Sequence, residues 1–575
     1  VTGTPRVIQI FGSFELDESG DLRKHGVPVR LQEQPRRVLD ALLVRPGSLV
    51  TRQDLRRRLW PDGVVVGFDD GLNNAVNRLR AALGEQARRP RFIETVGRRG
   101  YRFLAPVRVR TAGPPARALA VLPLRDLAPE DGADYVADGL REALIAALAA
   151  IPSLRVLSSG SALRFRGSRR PLREIARALG ADVLVEGSLL RADGRVRLIV
   201  RLIDGHREEQ LWARTYERDG RDVLAREGEL AAAIAAELRL EVTDEARARM
   251  SRPRPVEPAA HDAWMRGRYW WNRRTVDGLR KGIGCFREAI AADPLFAPAY
   301  VGLADCYNSL GTVPLGEPPS HTRPLAAAAA ARALDLDPDL AEAHATLGYT
   351  QIYACEWDAA ERNLLRALDL KPSYAEAHAW RAHLLAARGR FDDALAEAER
   401  AQALDPLSVY IRTTLGFVLH LARRYEESDR TLRAAVELDE DRGLPLLFLA
   451  INLLQQRRAT EAVEVMEAVV AASRRNPALM GWLAQAYAAC GRLDDARAAV
   501  AEIERAASGR YVPPFSLGVG RLALGDLDAA FRHLAAAVEE RANVAVYFAV
   551  VPTFEPLRGD ARMQALVARL DPARG

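Results

Sequence analysis

Apolar residues recur along this chain at several periods, and each change of period marks a new segment. Residues 7–31 alternate in short runs, with Gly20 and Gly26 at turns, which is the pattern of strands. From Gln34 to Val44 the period becomes helical, with Val38, Leu39, Leu42 and Leu43 on one side and Pro46-Gly47 as the stop. Thr51 is placed to cap a second helix, TRQDLRRRLW, with Asp54 three residues on in a variant of the capping box. A third helix starts at Asp69. Leu72, Val76, Leu79 and Leu83 fall at i, i+4, i+7 and i+11 and make one apolar stripe. At about 100° per residue, Asn74, Asn77, Arg78 and Ala81 occupy the opposite face, with Asn73 and Arg80 on the flanks. A two-stranded hairpin follows. Phe92, Ile93 and Val96 belong to its first strand, Tyr101 to Phe103 to its second, and Gly97-Arg98-Arg99-Gly100 to its turn.

An exposed helix face of Asn and Arg has a specific chemistry, because Asn pairs bidentately with adenine and Arg with guanine at the major-groove edge. A helix followed by a basic hairpin is the layout of a winged helix, in which the helix enters a groove and the wing grips the adjacent backbone. The plainer alternative is a surface helix beside an ordinary charged turn. Arg52, Arg56, Arg57 and Arg58 make the second helix basic, as either a solvated face or a source of phosphate contacts.

LNNAVNRLRAALG followed by RFIETVGRRGYRF closely resembles the effector domain of OmpR-type winged-helix regulators. In that family a V-x-x-L-R-x-x-L recognition helix precedes a T-V-x-x-x-G-Y-R-F wing. The resemblance extends back to about Val7 and implies a small sheet ahead of the helices. It places Arg78 and Arg80 where the family contacts DNA, and the full expected DNA-binding set is Thr51, Arg52, Asn73, Asn74, Asn77, Arg78, Arg80, Arg98, Arg99 and Tyr101. The family often has Arg directly after the Thr-Val of the wing; here Gly97 stands there and the arginines follow at 98 and 99. The resemblance also implies that the loop opened by Trp60-Pro61-Asp62-Gly63 can face RNA polymerase; Trp60 itself, as a large aromatic, reads as a core plug. No receiver domain precedes the winged-helix pattern, so the signal is expected from the C-terminal side.

Residues 118–242 read as an α/β domain. LAVLPL (119–124), LRVLS (154–158), DVLVEGSLLR (182–191), RVRLIVRLID (195–204) and QLWARTYE (210–217) are strand runs, with a hairpin turn at Ala192-Asp193-Gly194. Helices are expected over Tyr135–Ala150, Leu172–Leu179 and from Asp222 to about Leu240. The order of V-L-P, D-G-L-R-E-A-L, V-L-V-E-G-S, R-L-I-D and L-W-A-R-T-Y resembles the TolB N-terminal-like domain, which brings no catalytic motif with it. No phosphate-cradling G-x-x-x-x-G-K-[ST] occurs. Ser158-Ser159-Gly160-Ser161 reads as a loop, and Glu186, in an apolar strand, as an edge or ion-pair residue or else a ligand contact.

From Ala259 onward the chain repeats. Pro338, Pro372 and Pro406 are spaced by 34, and Leu438-Asp439 follows Leu404-Asp405 by 34. Leu347, Gly348, Ala360, Leu364 and Ala367 occupy the tetratricopeptide (TPR) positions, Phe286 and Ala289 echo them, and Gly491, Ala496 and Val500 are matched by Gly525, Ala530 and Leu534. At least six units are expected. Pro294 and Pro338 lie 44 apart, so about ten residues are inserted, assigned to a loop over 312–322. Such stacks form a curved surface that holds peptides or helices. His344 and His378, at equivalent repeat positions, are structural echoes rather than metal ligands. Tyr269-Trp270-Trp271 is expected to pack in the core rather than to stack on nucleic acid. No Ser/His/Asp or Cys/His set has a defensible spacing.

Charge sharpens this picture. Residues 1–110 hold 21 Lys+Arg against 12 Asp+Glu, a balance of +9; the whole chain is +6, so the remainder is −3. The positive balance sits where a phosphate backbone would require it. Cys285, Cys306, Cys355 and Cys490 are scattered without a C-x-x-C pair, which suits a reducing compartment. The uncharged stretch Gly443–Gln456 is shorter than the roughly 18–20 apolar residues of a membrane span, and VTGTPRVIQIF lacks a signal-peptide layout.

The expected protein is therefore multidomain: a winged helix (α+β) over 1–108, a linker over 109–117, an α/β domain over 118–250 and an all-α TPR solenoid over 259–575. It is expected to be a soluble, cytoplasmic transcription regulator and not an enzyme, with no cofactor and no metal. Its partners would be double-stranded DNA, RNA polymerase through the loop at Trp60, and a protein or peptide on the TPR surface, or that array would instead assemble the protein into homo-oligomers; no membrane is involved. Two alternatives stand beside it: a TPR scaffold whose winged helix does not bind DNA, and an enzyme or small-molecule sensor built on the middle domain.

Overall fold

The computed structural model describes residues 6–11, 14–17, 20–24, 27–29, 31–59, 68–85, 90–97, 99–105, 107–112, 117–127, 134–149, 151, 154–192, 195–219, 227–238, 240, 256–273, 275–312, 317–438 and 443–571. The loop opened at Trp60, the wing-tip Arg98 and the centre of the Ala192-Asp193-Gly194 turn lie outside these residues. Two compact units are present, Val1–Ala116 and Arg117–Gly575.

In the first unit, β1 (Arg6–Phe11), β2 (Phe14–Asp17), β3 (Leu22–Lys24) and β4 (Val27–Val29) form an antiparallel meander. Helices α1 (Glu33–Leu43), α2 (Arg52–Leu59) and α3 (Phe68–Leu83) follow, with β5 (Leu49–Thr51) between the first two. The wing strands β6 (Ile93–Val96) and β7 (Gly100–Phe103) pair antiparallel, and β5 joins β7 to give the order β5-β7-β6. The apolar stripes converge here. Leu72, Val76 and Leu79 are fully buried, and Val38, Leu39, Leu42 and Leu55 pack into the same core. Phe11 meets Phe103 edge to face at 5.1 Å, tying the meander to the wing.

One expectation is corrected. Part of the stretch read as linker forms β8 (Val107–Ala112), which pairs antiparallel with β1 from Arg6↔Ala112 to Phe11↔Val107. Alternating Val and Arg suit an edge strand, and the partner lies about a hundred residues earlier in sequence, so local composition pointed to a linker instead.

The second unit opens with a mixed sheet of order β11-β9-β12-β13-β14, with β10 (Arg125–Asp126) added to β12. Strands β9 (Arg117–Val121), β11 (Leu154–Val156) and β12 (Val183–Ala192) run parallel; β13 (Arg195–Asp204) and β14 (Gln210–Asp219) complete it antiparallel. Alternation sends Leu119 and Val121 to one face, under α4 (Asp134–Ala149) and the helix Glu227–Glu237. Ala120 and Leu122 go to the other, under α6 (Leu172–Leu179). The serine-rich stretch expected to be a loop is helix α5 (Ser159–Leu163). Ser158 and Ser161 both donate to Asp405 of the repeat array, and Ser161 Oγ accepts from the Leu407 amide at 3.0 Å. That anchor holds the short turn in place and joins sheet to array. Glu186 is an ion-pair residue, 3.2 Å from Arg125.

The array contains eight antiparallel helix pairs among the described residues, from Pro258–Asn272 with Val276–Ala292 to Pro514–Ala523 with Leu527–Glu539. The repeat glycines let paired helices touch: a Cβ on Gly348 would lie 2.8 Å from Leu364, and one on Gly416 2.6 Å from Leu432. The inserted residues do not form only a loop. They open the 18-residue helix Pro319–Leu336 and bury Thr322 and Arg323. His344 and His378 are equivalent, as expected. His344 ring nitrogens meet Asn363 Oδ1 and the Pro338 carbonyl, each at 2.9 Å; those of His378 meet Glu397 at 2.6 Å and the Pro372 carbonyl at 3.1 Å. Tyr269, Trp270 and Trp271 are half-buried; Arg268 lies 4.3 Å from the Trp271 ring and Lys281 4.5 Å from that of Trp270. No helix among the described residues is long and apolar enough to cross a membrane.

Two array histidines make stability depend on pH. Burial pushes His383 and His420 down to about 4, whereas an unfolded histidine titrates at about 6.5. Across that window the unfolded chain binds protons that the folded one refuses, so stability falls on acidification by up to about 1.4 kcal/mol per pH unit for each imidazole. Urea melts from pH 7 to pH 5 should show this loss, and a shallower one in His420→Asn. Equal slopes in the two proteins would count against it.

Candidate nucleic-acid interface

Burial sorts the helix α3 side chains. The Leu72/Val76/Leu79/Leu83 stripe is in the core, while Asn74, Asn77, Arg78 and Ala81 are exposed on the opposite face. Arg78 is in reach of solvent and donates to Gln32 Oε1, ahead of α1. Gln32 is a neutral, exposed amide, and among the described residues Arg78 forms no ion pair that a move to a base edge would break.

The flanks are engaged with the protein. Asn73 Oδ1 accepts from the Tyr101 hydroxyl at 2.9 Å and from Arg52 Nη2 at 3.1 Å, and Arg52 Nη1 pairs with Asp69 at 2.8 Å. Arg52, Asn73 and Tyr101 thus lock the start of α2, α3 and wing strand β7 together. Tyr101, expected among the DNA-binding residues, is 3 % exposed, and its hydroxyl donates to Asn73 Oδ1. Thr51 caps α2 as expected. Its hydroxyl accepts from the Asp54 amide at 3.1 Å and donates to the Asp54 carboxylate at 2.6 Å, which holds that carboxyl below its usual range.

Arg80, also expected among the DNA-binding residues, is turned into the protein. It is 5 % exposed, and Nη2 donates to the Ile93 carbonyl at 2.8 Å and to Thr95 Oγ1 at 2.9 Å. Its guanidinium lies 3.7 Å from Glu85, a fully buried carboxylate that accepts the backbone amides of Arg91, Phe92 and Ile93 at 2.8, 2.6 and 3.0 Å. The pair welds the end of α3 to the first wing strand. Arg80 leaves the helical stripe sideways, and the wing carbonyl draws it inward. Sequence reasoning passed over Glu85; its signal was a carboxylate directly after the helix-ending Gly84 in an arginine-rich stretch.

The wing tip carries Arg99, which is exposed; its carbonyl accepts from the Arg52 amide at 3.1 Å. Gly97 turns the chain at φ +52°. A Cβ on Gly100 would lie 2.1 Å from the Val50 carbonyl, so only glycine lets β7 approach β5 there. Arg56, Arg57 and Arg58 are exposed on α2. The unit therefore presents an Asn/Arg helix face and a basic tip, both mounted on buried side chains.

Comparison with known proteins follows this division. Residues 26–103 match the family model "Transcriptional regulatory protein, C terminal", and residues 346–409 and 453–511 match tetratricopeptide repeat models. "Transcriptional regulator HilA" of Salmonella typhimurium is 23% identical over 447 residues, covering 76% of this chain and 71% of that protein. "Cholera toxin homolog transcriptional activator" of Vibrio parahaemolyticus is 33% identical over 79 residues, 14% of this chain and 27% of that one. "Putative adenylate cyclase 3" of Rhizobium meliloti is 27% identical over 253 residues, so the match spans 43% of this chain and 42% of that relative. The chain thus carries a segment matching the transcriptional regulatory C-terminal family over residues 26–103 and tetratricopeptide repeats C-terminal to it, and over most of its length it is similar to a transcriptional regulator.

Proposed function

We infer that this chain regulates transcription by reading promoter DNA with the Asn74/Asn77/Arg78 face of α3. The carrying observation is that face itself, exposed opposite a fully buried leucine stripe and flanked by a basic wing tip. Arg99, together with Arg98, holds phosphates or an adjacent minor groove. Arg52, Asn73, Tyr101, Arg80 and Thr51 act by positioning these elements. The loop opened at Trp60 faces RNA polymerase, the middle sheet is a TolB-like domain that links or senses, and the array carries the regulatory protein contact and assembly. The protein works in the cytoplasm. A catalytic role is not assigned to the middle sheet: Ser158 and Ser161 are bound to Asp405, and Glu186 is paired with Arg125.

The test of DNA reading is a titration of residues 1–116 with duplex DNA at several salt concentrations. Binding that weakens linearly in log–log form with added salt is expected. Absence of binding at low salt would favour a scaffold whose winged helix meets only protein. A second prediction concerns regulation. Deleting residues 259–575 should leave DNA binding by the N-terminal unit and abolish the response of a reporter gene to the signal. A normal response by the truncated regulator would place sensing elsewhere.

A further inference from the structure

Beyond the last helix pair the chain leaves the repeat pattern and enters the array. Residues Ala542–Phe554 carry no charged side chain; Ala545–Tyr547 form one short 3-10 turn and Pro552–Leu557, which runs on past Glu555, a second. Val546, Tyr547 and Val550 are buried against Ile352, Tyr353, Leu385 and Phe417, which come from the first helices of three successive pairs. The Tyr547 hydroxyl lies 2.9 Å from His383 Nδ1, and its ring meets Phe417 edge to face at 5.1 Å. Arg323 clamps the entry. Its Nη2 donates to Asn543 Oδ1 at 2.5 Å, its Nη1 donates to the Arg541 carbonyl and, at 3.1 Å, to the Tyr353 carbonyl, and Arg541 in return donates to the Ala354 carbonyl. Arg323 sits on the helix opened by the insertion that breaks the 34-residue spacing, so the clamp is an addition to the repeat rather than part of it.

We propose that the groove of helices Ala341–Tyr353, Ala375–Ala387 and Val409–Leu421 binds an uncharged peptide bearing an amide side chain with a tyrosine four residues later, and that the chain closes this site with its own residues Ala542–Val551. A partner of that chemistry competes with the internal strap. The groove supplies one cation for amide and carbonyl oxygens, one imidazole for a phenol and an aromatic floor, which is a recognition set rather than the Ala/Leu seam that joins the repeats. The proposal rests on the array being a protein-binding module. The first experiment below tests the strap without that premise, and the second tests both.

In the full-length chain, native-state hydrogen exchange should show amides of residues 545–557 exchanging at least tenfold faster than those of helices Ala375–Ala387 and Val409–Leu421. Equal protection would make the strap a fixed part of the core and overturn the proposal. In fluorescence titrations with a labelled, end-capped peptide of residues 542–554, full-length Asn543→Ala/Tyr547→Ala should bind at least tenfold more tightly than the unmodified chain. Adding Arg323→Ala should remove that gain. Binding no better than that of the unmodified chain, with the helical circular dichroism retained, or binding indifferent to Arg323→Ala, would overturn the binding site even if the strap opens. Should the double variant fail to fold, the peptide is titrated against Tyr547→Phe, which loses only the hydroxyl, with the same expected order and the same contrary result.

Discussion

Replacing Glu85 by alanine should destabilise the N-terminal unit by about 3–5 kcal/mol, the cost of breaking a buried ion pair from one side. Glu85 is fully buried, accepts three backbone amides and faces Arg80 at 3.7 Å. Its removal strands those amides and leaves the Arg80 guanidinium inside without its counter-charge. A domain of this size has about 5–15 kcal/mol in total, so the variant should be close to unfolding at ambient temperature and lose affinity for every duplex. Glu85→Gln keeps an acceptor and the packing and should fall between. Urea melts of residues 1–116 measure this. A loss under about 1 kcal/mol, the scale of one ordinary hydrogen bond, would show that the pair does not hold the wing.

The second expected result separates two kinds of arginine. If Arg78 makes the proposed bidentate base contact, Arg78→Ala should cost about 1–3 kcal/mol at the preferred site and relax base preference there. The side chain is exposed and its bond to Gln32 is not buried, so the fold should be almost unaffected. Arg99→Ala should weaken specific and scrambled duplexes alike. Where Arg99 neutralises one phosphate, the log–log salt slope also falls by about 0.9.

Much of the first unit was legible because burial imposes a period. Leu72, Val76, Leu79 and Leu83 announced α3 and its exposed face, and Thr51 with Asp54 announced the start of α2. What was not legible depends on partners distant in sequence. Strand β8 exists through its pairing with β1, and α5 keeps its form through Asp405, some 240 residues onward. Arg80 lies where a helical wheel allows either direction, and the Ile93 carbonyl decides it. The 34-residue spacing revealed the array, yet it could not show that residues past the last repeat lie against helices of the third, fourth and fifth pairs.

The base-reading role of α3 is tested most directly by titrating the folded full-length chain, Arg78→Ala and Arg99→Ala against one preferred and one scrambled duplex at several salt concentrations. The expected outcome is a specific loss for Arg78→Ala, confined to the preferred duplex, and a uniform loss for Arg99→Ala. If Arg78→Ala weakens both duplexes equally while Arg99→Ala alters sequence preference, the roles of helix and wing are reversed. If neither change matters, this winged helix does not read DNA through these residues.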